Sequence, residues 1–225
     1  MQWTRLADPG AVARRACETI LETARAAIGA RGGFRIVLAG GSTPKRTYEL
    51  LAGTQSDWAR WHVYFGDERC LPADNPARNS RMAAGALTDR VPIPPGQVHP
   101  IPAEQGAEAA ARRYTGIIRA GLPFDLVLLG LGEDGHTASL FPGHGYPETA
   151  AAIPVHGAPK PPPDRVSLTP AALSDCRRLL FLVTGEGKRE AVARWRRGDP
   201  LPAAAIHPAG EGEVLADRHA WPDPP

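Results

Sequence analysis

With 225 residues, 43% of them hydrophobic, the chain is long enough for one large α/β domain or two small ones and can bury a core. Its 26 basic and 24 acidic residues leave a formal charge of +2, which does not point to a nucleic-acid partner with its need for a basic face; a small anionic ligand needs only a few local cations. The three isolated cysteines, Cys17, Cys70 and Cys176, give no C-x-x-C pair for zinc or redox chemistry and no disulfide framework.

The N-terminus, MQWTRLADPGAVARRACETI, has no apolar signal core, and no apolar run approaches the roughly 20 residues of a membrane span. A cytoplasmic protein with free thiols and no membrane partner is expected. Asp8 caps a first helix with Pro9 at its first position, and Val12, Ala16, Ile20 and Ala24 recur at helical spacing until Gly29–Gly33 ends it. FRIVLAG (34–40) is a short apolar run ending in glycine, as a buried parallel strand would be. A helix over 44–51 follows, then a strand, HVYFG (62–66), and a helix begun by Asn75-Pro76 and running to about Leu87. VPIPPGQVHPIP (91–102) is a proline-broken connection. A helix over 104–120 leads into FDLVLLG (124–130), the clearest buried strand. RVSLT (165–169) and RLLFLVTG (178–185) are two more strands; a helix over 187–195 precedes a last weak one, AAAIHP (203–208). Strands alternating with helices imply an α/β fold with a mainly parallel sheet. GAPKPPPDR (157–165) reads as a surface loop or a flap beside a site. With no composition break, residues 1–225 are taken as one domain.

In open α/β sheets ligands bind beyond the carboxyl ends of the strands. Four such ends stand out. In LAGGSTPKRTYELL (38–51), Gly40 and Gly41 let the backbone turn closely around a ligand, Ser42 or Thr43 can cap the helix, and Pro44 suits its first position. Lys45 and Arg46 sit at the positive end of the helix dipole, which a bound phosphate would make favourable; the plain alternative is a glycine turn with solvated cations. In VYFGDERCLP (63–72) a strand empties into Asp67, Glu68 and Arg69; the arginine fork suits phosphate oxygens, and a surface ion-pair cluster explains it equally well.

GLGEDGHTASLFPG (130–143) matches the G-x-G-x-x-G fingerprint of a dinucleotide turn, but about 20 residues on the chain reads PVHGAPK, without the ribose-binding carboxylate. It reads better as a strand-end loop that leaves backbone amides bare at Gly130, Gly132 and Gly135, with those of Gly132 and Gly135 expected to stabilise an oxyanion, and that holds Asp134 and His136 on a tight turn. A histidine is the natural general base at neutral pH, with Asp134 able to fix its tautomer; the alternative is a structural histidine capping a helix from about Thr137. Finally, LLFLVTGEGKREAVARW (179–195) puts Lys188 in the first turn after a glycine, again a cation where the dipole disfavours it. The seven histidines form no compact cluster, so no metal is expected, and no G-x-S-x-G elbow supports a nucleophilic serine.

Taken together and in this order, LAGGSTPKRTYELL, VYFGDERCLP, FDLVLLGLGEDGHTASLFPG and RVSLTPAALSDCRRLLFLVTGEGKREAV, with the tail LPAAAIHPAGEGEVLADRHA, resemble the 6-phosphogluconolactonase family over nearly the whole chain. The resemblance implies a Rossmann-like α/β sandwich, shared with glucosamine-6-phosphate deaminases. It also implies hydrolysis of 6-phospho-D-glucono-1,5-lactone to 6-phosphogluconate in the oxidative branch of the pentose phosphate pathway, without a cofactor. It makes His136 the catalytic histidine, Arg69 and Lys188 the phosphate-binding cations, and Asp67 an acidic residue lining the pocket. Cys70 and Ser80 depart from the family's apolar and aromatic residues there. The implied partner is a small sugar-phosphate lactone, and a monomer is expected. Two rivals remain: a deaminase-like enzyme, although deaminases read more like GHIAFNEP at the histidine loop, and a sugar-phosphate sensor without catalysis.

Overall fold

The structure, a computed structural model, describes residues 1–147 and 149–222. Its strands are β1 (Gln2–Leu6), β2 (Phe34–Leu38), β3 (Trp61–Phe65), β4 (Asp67–Arg69), β5 (Leu126–Gly130), β6 (Ala152–Val155), β7 (Arg165–Leu168), β8 (Arg178–Val183) and β9 (Glu211–Asp217). The helices are α1 (Pro9–Arg31), α2 (Ser42–Leu51), α3 (Asn79–Ala83), α4 (Ala107–Gly121), α5 (Pro170–Ser174) and α6 (Arg189–Arg197).

Six strands make one sheet in the order β1-β9-β8-β5-β2-β3, every pair parallel. Its central residues Ile36, Val37, Leu126, Val127, Leu180 and Phe181 are fully buried, as strands covered on both faces must be. The chain runs outward from β2 to β3, returns to β5 on the other side of β2, and then continues to β8 and β9. The order therefore reverses between β2 and β5, and a crevice opens where such a reversal occurs.

Helix α1 begins as its sequence dictates. The Asp8 carboxylate accepts from the Ala11 N–H at 2.7 Å, and Gly32, at φ +75°, ends the helix with its N–H on the Ile28 carbonyl. Val12, Ala16, Ile20 and Ala24 are fully buried, and the helix packs on β8, β9 and α2. Its last residue, Arg31, donates to Asp125 at 2.6 Å, and Asp125 also accepts from the Arg35 N–H at 2.8 Å, which ties the helix end to the starts of β2 and β5.

Several elements differ from the pattern reading. The last strand is Glu211–Asp217, and 203–208 instead holds a 3₁₀ turn, Pro202–Ala205. Pro202 and Pro208 deny that segment donors. At Gly210 a Cβ would lie 2.0 Å from the Arg177 carbonyl oxygen, so glycine is what lets the chain come this close to β8, and pairing begins at Glu211. The helix expected over 75–87 shrinks to α3 followed by a π turn, Ala84–Thr88. Residue 78 before it is extended, because its guanidinium is drawn to the buried Glu68. Strand β7 does not join the main sheet. It pairs antiparallel with β4 and β6 in a second, three-stranded sheet, against which α4 packs. No helix follows Thr137: residues 137–140 form an isolated bridge, with Ala138 at φ +47°, a conformation that side chains adopt rarely.

Candidate active site

The crevice at the sheet reversal holds a cavity of about 170 Å³. One wall is the turn after β2, Ala39 to Gly41; the opposite wall is the loop after β5 with His136, Thr137 and Ala138; the small sheet supplies Asp67, Arg69 and Arg165. The four strand ends singled out by sequence thus converge, three of them on one cavity.

The histidine loop is wound by its own backbone. The Gly132 N–H donates to the His136 carbonyl at 2.7 Å and the Gly135 N–H to the Gly132 carbonyl at 3.1 Å. Thr137 Oγ1 donates to the Gly130 carbonyl at 2.8 Å. A Cβ on Gly132 would stand 2.0 Å from His136 Nδ1, and one on Gly135, at φ +91°, would meet Leu201 at 2.8 Å. The glycines therefore serve ring placement and a left-handed turn. They do not form the oxyanion hole expected of Gly132 and Gly135: both N–H groups are consumed inside the loop, and that expectation is corrected.

Asp134 holds His136 twice, accepting from its backbone N–H at 3.1 Å and from ring Nδ1 at 2.5 Å. Burial pushes the Asp134 carboxyl up, but the backbone and ring hydrogen bonds from His136 outweigh it and leave the group below the usual carboxylate range. With Nδ1–H on the carboxylate, the neutral ring keeps its lone pair on Nε2. The ring stacks obliquely on Phe141, centroids 4.9 Å apart, and the side chain is 22% exposed, so it is open to the cavity and not sealed in apolar packing.

Asp67 is buried and accepts from Asn79 Nδ2 at 2.9 Å and Ser139 Oγ at 2.6 Å. Burial raises its carboxyl, opposed by the Ser139 bond and the Arg69 charge. With both oxygens engaged, it lines the cavity as a fixed acceptor. Asn79 comes this close only because residue 40 is glycine: a Cβ there would be 2.1 Å from Asn79 Oδ1. Glu68 supports the same wall, accepting from the N–H groups of Asn79 and Ser80 and from Ser80 Oγ, at 2.7, 2.8 and 2.7 Å. Ser80 is thereby spent on Glu68.

On the glycine turn, α2 starts at Ser42, and its cap is Gly41 (φ +110°) with no side-chain bond. The capping role expected for Ser42 or Thr43 is corrected: Thr43 Oγ1 instead meets Thr184 Oγ1 at 2.6 Å, joining the turns after β2 and β8. Among the described residues the N–H groups of Gly41, Ser42 and Thr43 have no protein acceptor. Arg69 donates to the Ala77 carbonyl and stands directly across from Arg165 in the β4–β7 register. Like charges so placed repel unless an anion lies between or beside them. Lys188 is not among the residues lining the cavity. It lies near Glu133, Asp134 and Lys160 but makes no ion pair within 4 Å among the described residues, and burial pulls its ammonium down. It sits on the histidine-loop side, where Gly187 packs on Glu133.

The sequence reading placed RVSLT as a strand and gave its first residue no role. Arg165 is nevertheless buried in the site. Its signal, an arginine opening an otherwise apolar strand after the proline-rich loop, has meaning only once that strand pairs with Arg69. Asn79 and Ser139 were missed for the same reason, their partner Asp67 being 12 and 72 residues away.

The family model for glucosamine-6-phosphate isomerases/6-phosphogluconolactonase matches residues 7–216. The chain is 41% identical over 217 residues to a 6-phosphogluconolactonase of Mycobacterium leprae, covering 89% of this chain and 85% of that protein. To one of Streptomyces coelicolor it is 40% identical over 206 residues, covering 82% and 79%. The crystal structure of a Thermotoga maritima 6-phosphogluconolactonase superposes with a TM-score of 0.89 at 30% identity, over 96% of this chain and 99% of that one. A monomeric glucosamine-6-phosphate deaminase superposes with a TM-score of 0.87 at 21% identity, over 98% of each chain, a likeness of fold alone. By sequence model, relatives and architecture alike, the chain belongs to the glucosamine-6-phosphate isomerase/6-phosphogluconolactonase family.

Proposed function

We infer that the chain hydrolyses 6-phospho-D-glucono-1,5-lactone to 6-phospho-D-gluconate, with His136 as general base on water. The observation that carries the reading is one imidazole, oriented by Asp134 through Nδ1, that opens onto a cavity walled by a glycine turn and Arg69. The Nε2 lone pair takes a proton from water as its oxygen bonds to lactone C1. The C1–ring oxygen bond then breaks, and the imidazolium returns the proton to that oxygen. Asp134 keeps the ring in the tautomer this requires and stabilises the transient cation.

The distant 6-phosphate is the handle that places C1. Its site is the N-terminus of α2, where among the described residues the N–H groups of Gly41, Ser42 and Thr43 have no protein acceptors. Arg69 faces the same cavity, and Lys188 brings a half-buried ammonium with no ion pair within 4 Å among the described residues. The Thr43–Thr184 bond holds the turn that carries Lys188 against the glycine turn. Asp67 borders the cavity as an acceptor for substrate hydroxyls.

His136→Ala, assayed in a pH-stat on freshly made lactone and corrected for spontaneous opening, should lose about 10²–10⁴ in kcat. Undiminished kcat would rule out the base. Ammonia release from glucosamine 6-phosphate, measured in the same preparation, would favour a deaminase instead.

A further inference from the structure

The reaction leaves one charge unaccounted for. As water adds to C1, the carbonyl electron pair moves onto the carbonyl oxygen, and the loop glycines cannot receive it because their N–H groups are already bonded. A second cavity, of about 150 Å³, is bordered by Glu133, Asp134 and Phe141 and by Pro159 and Lys160 of the proline-rich loop. The two cavities share two lining residues, His136 and Arg165. The base and one guanidinium therefore stand together where the two spaces meet.

Arg165 is held for such a task. Nε donates to the Pro162 carbonyl at 3.2 Å and Nη2 to the Lys160 carbonyl at 2.7 Å. Its guanidinium carbon lies 5.7 Å from the centroid of the Phe141 ring, the same ring on which His136 rests. Nη1 has no acceptor, and no carboxylate lies within 4 Å of the group, among the described residues. Burial disfavours its charge, with Asp67 opposing that effect and Arg69 adding to it. A rigid, buried cation with one unused donor beside a general base is a preorganised partner for developing negative charge.

We propose that Arg165 is a catalytic residue whose Nη1 hydrogen-bonds the oxyanion of the tetrahedral intermediate formed at C1. The proposal rests on His136 being the base. Water's oxygen bonds to C1, its proton goes to His136, and the carbonyl pair becomes the alkoxide held by Arg165. When the alkoxide reforms the carbonyl, the C1–ring oxygen bond breaks, the imidazolium protonates the ring oxygen, and the new acid loses its proton to solvent. The proline-rich loop 157–165 then has a function: its Lys160 and Pro162 carbonyls aim the guanidinium.

The test separates this role from phosphate anchoring and from mere folding. Arg165→Ala and Arg165→Lys are assayed on fresh lactone alongside competitive inhibition by inorganic phosphate and thermal melting. A loss of about 10²–10³ in kcat is expected, with KM and the phosphate inhibition constant little changed. Added guanidinium chloride should restore part of the Arg165→Ala rate, whereas sodium chloride at equal ionic strength should not. A raised KM and phosphate constant with unchanged kcat would make Arg165 a phosphate anchor and overturn the proposal. A loss in both variants that follows their melting temperatures, without guanidinium rescue, would overturn it as well. These readings are taken with His136 in place, so failure of the base shows in His136→Ala and failure of the oxyanion contact shows here.

Discussion

His136 owes its position to a neighbour that has no side chain. Gly132 is where the ring passes, and any Cβ would occupy the place of Nδ1. The carboxylate that orients the ring is two residues away, close enough for sequence to suggest the pair, and the 2.5 Å contact realises it. Asp67 is the opposite case. It is a buried carboxyl whose folded value is raised by burial, so the folded state takes up a proton more readily than the unfolded chain. As pH rises from the ordinary aspartate range through the folded value, ionising it costs stability. Asp67→Asn should therefore melt higher than the parent at neutral pH and lose that advantage in acid, below the ordinary aspartate value. Thermal scans from pH 3 to pH 8 (a span about the reference value of roughly 3.9) check this. A neutral-pH melting temperature well below the parent's would mean that the two hydrogen bonds to Asp67 outweigh its desolvation.

At the scale of elements, the site stands on β4, a strand of three residues. Too short for any periodicity to reveal, it is held by side chains. Glu68 takes the first N–H groups of α3 and the Arg69 N–H, and its side chain and that of Arg78 are 0% and 2% exposed, 3.4 Å apart. Removing one partner of such a buried pair costs about 3–5 kcal/mol. Glu68→Ala should fall at the lower end of that range, since Arg78 keeps Glu104 at 2.8 Å. Urea denaturation measures it; a loss below about 1 kcal/mol, as for a surface pair, would mean that the network does not stabilise this wall. The longer elements were legible: α1 from its cap and spacing, β2, β5 and β8 from their unbroken apolar runs. β1 and β9 were not, because polar residues interrupt them: β1 is a strand by virtue of its pairing with β9, and β9 by its pairing with β1 and β8.

At the scale of the molecule, the reversal of strand order between β2 and β5 brings residues 40–43 and 130–138 to one crevice. If that crevice binds a phosphate, the ligand stabilises the folded state by mass action, about 2.7 kcal/mol at a hundred times the dissociation constant. For a chain of this size that is a rise of about 5–10 °C in melting temperature. Inorganic phosphate should produce it, and Arg69→Ala and Lys188→Ala should each reduce it. The same melting temperature in phosphate and in potassium chloride of equal ionic strength would remove the anion site.

By itself the sequence determined the alternation of helix and strand, the histidine loop with its Asp134 partner, and the glycine turn, because each depends on residues within a few positions of one another. Tertiary structure alone decided that Arg165 faces Arg69, that Asn79 and Ser139 hold Asp67, and that the N–H groups of Gly132 and Gly135 are already used. Those outcomes follow from strand pairing and loop closure between distant segments, whose register depends on the burial of the whole sheet and leaves no local mark in composition or spacing.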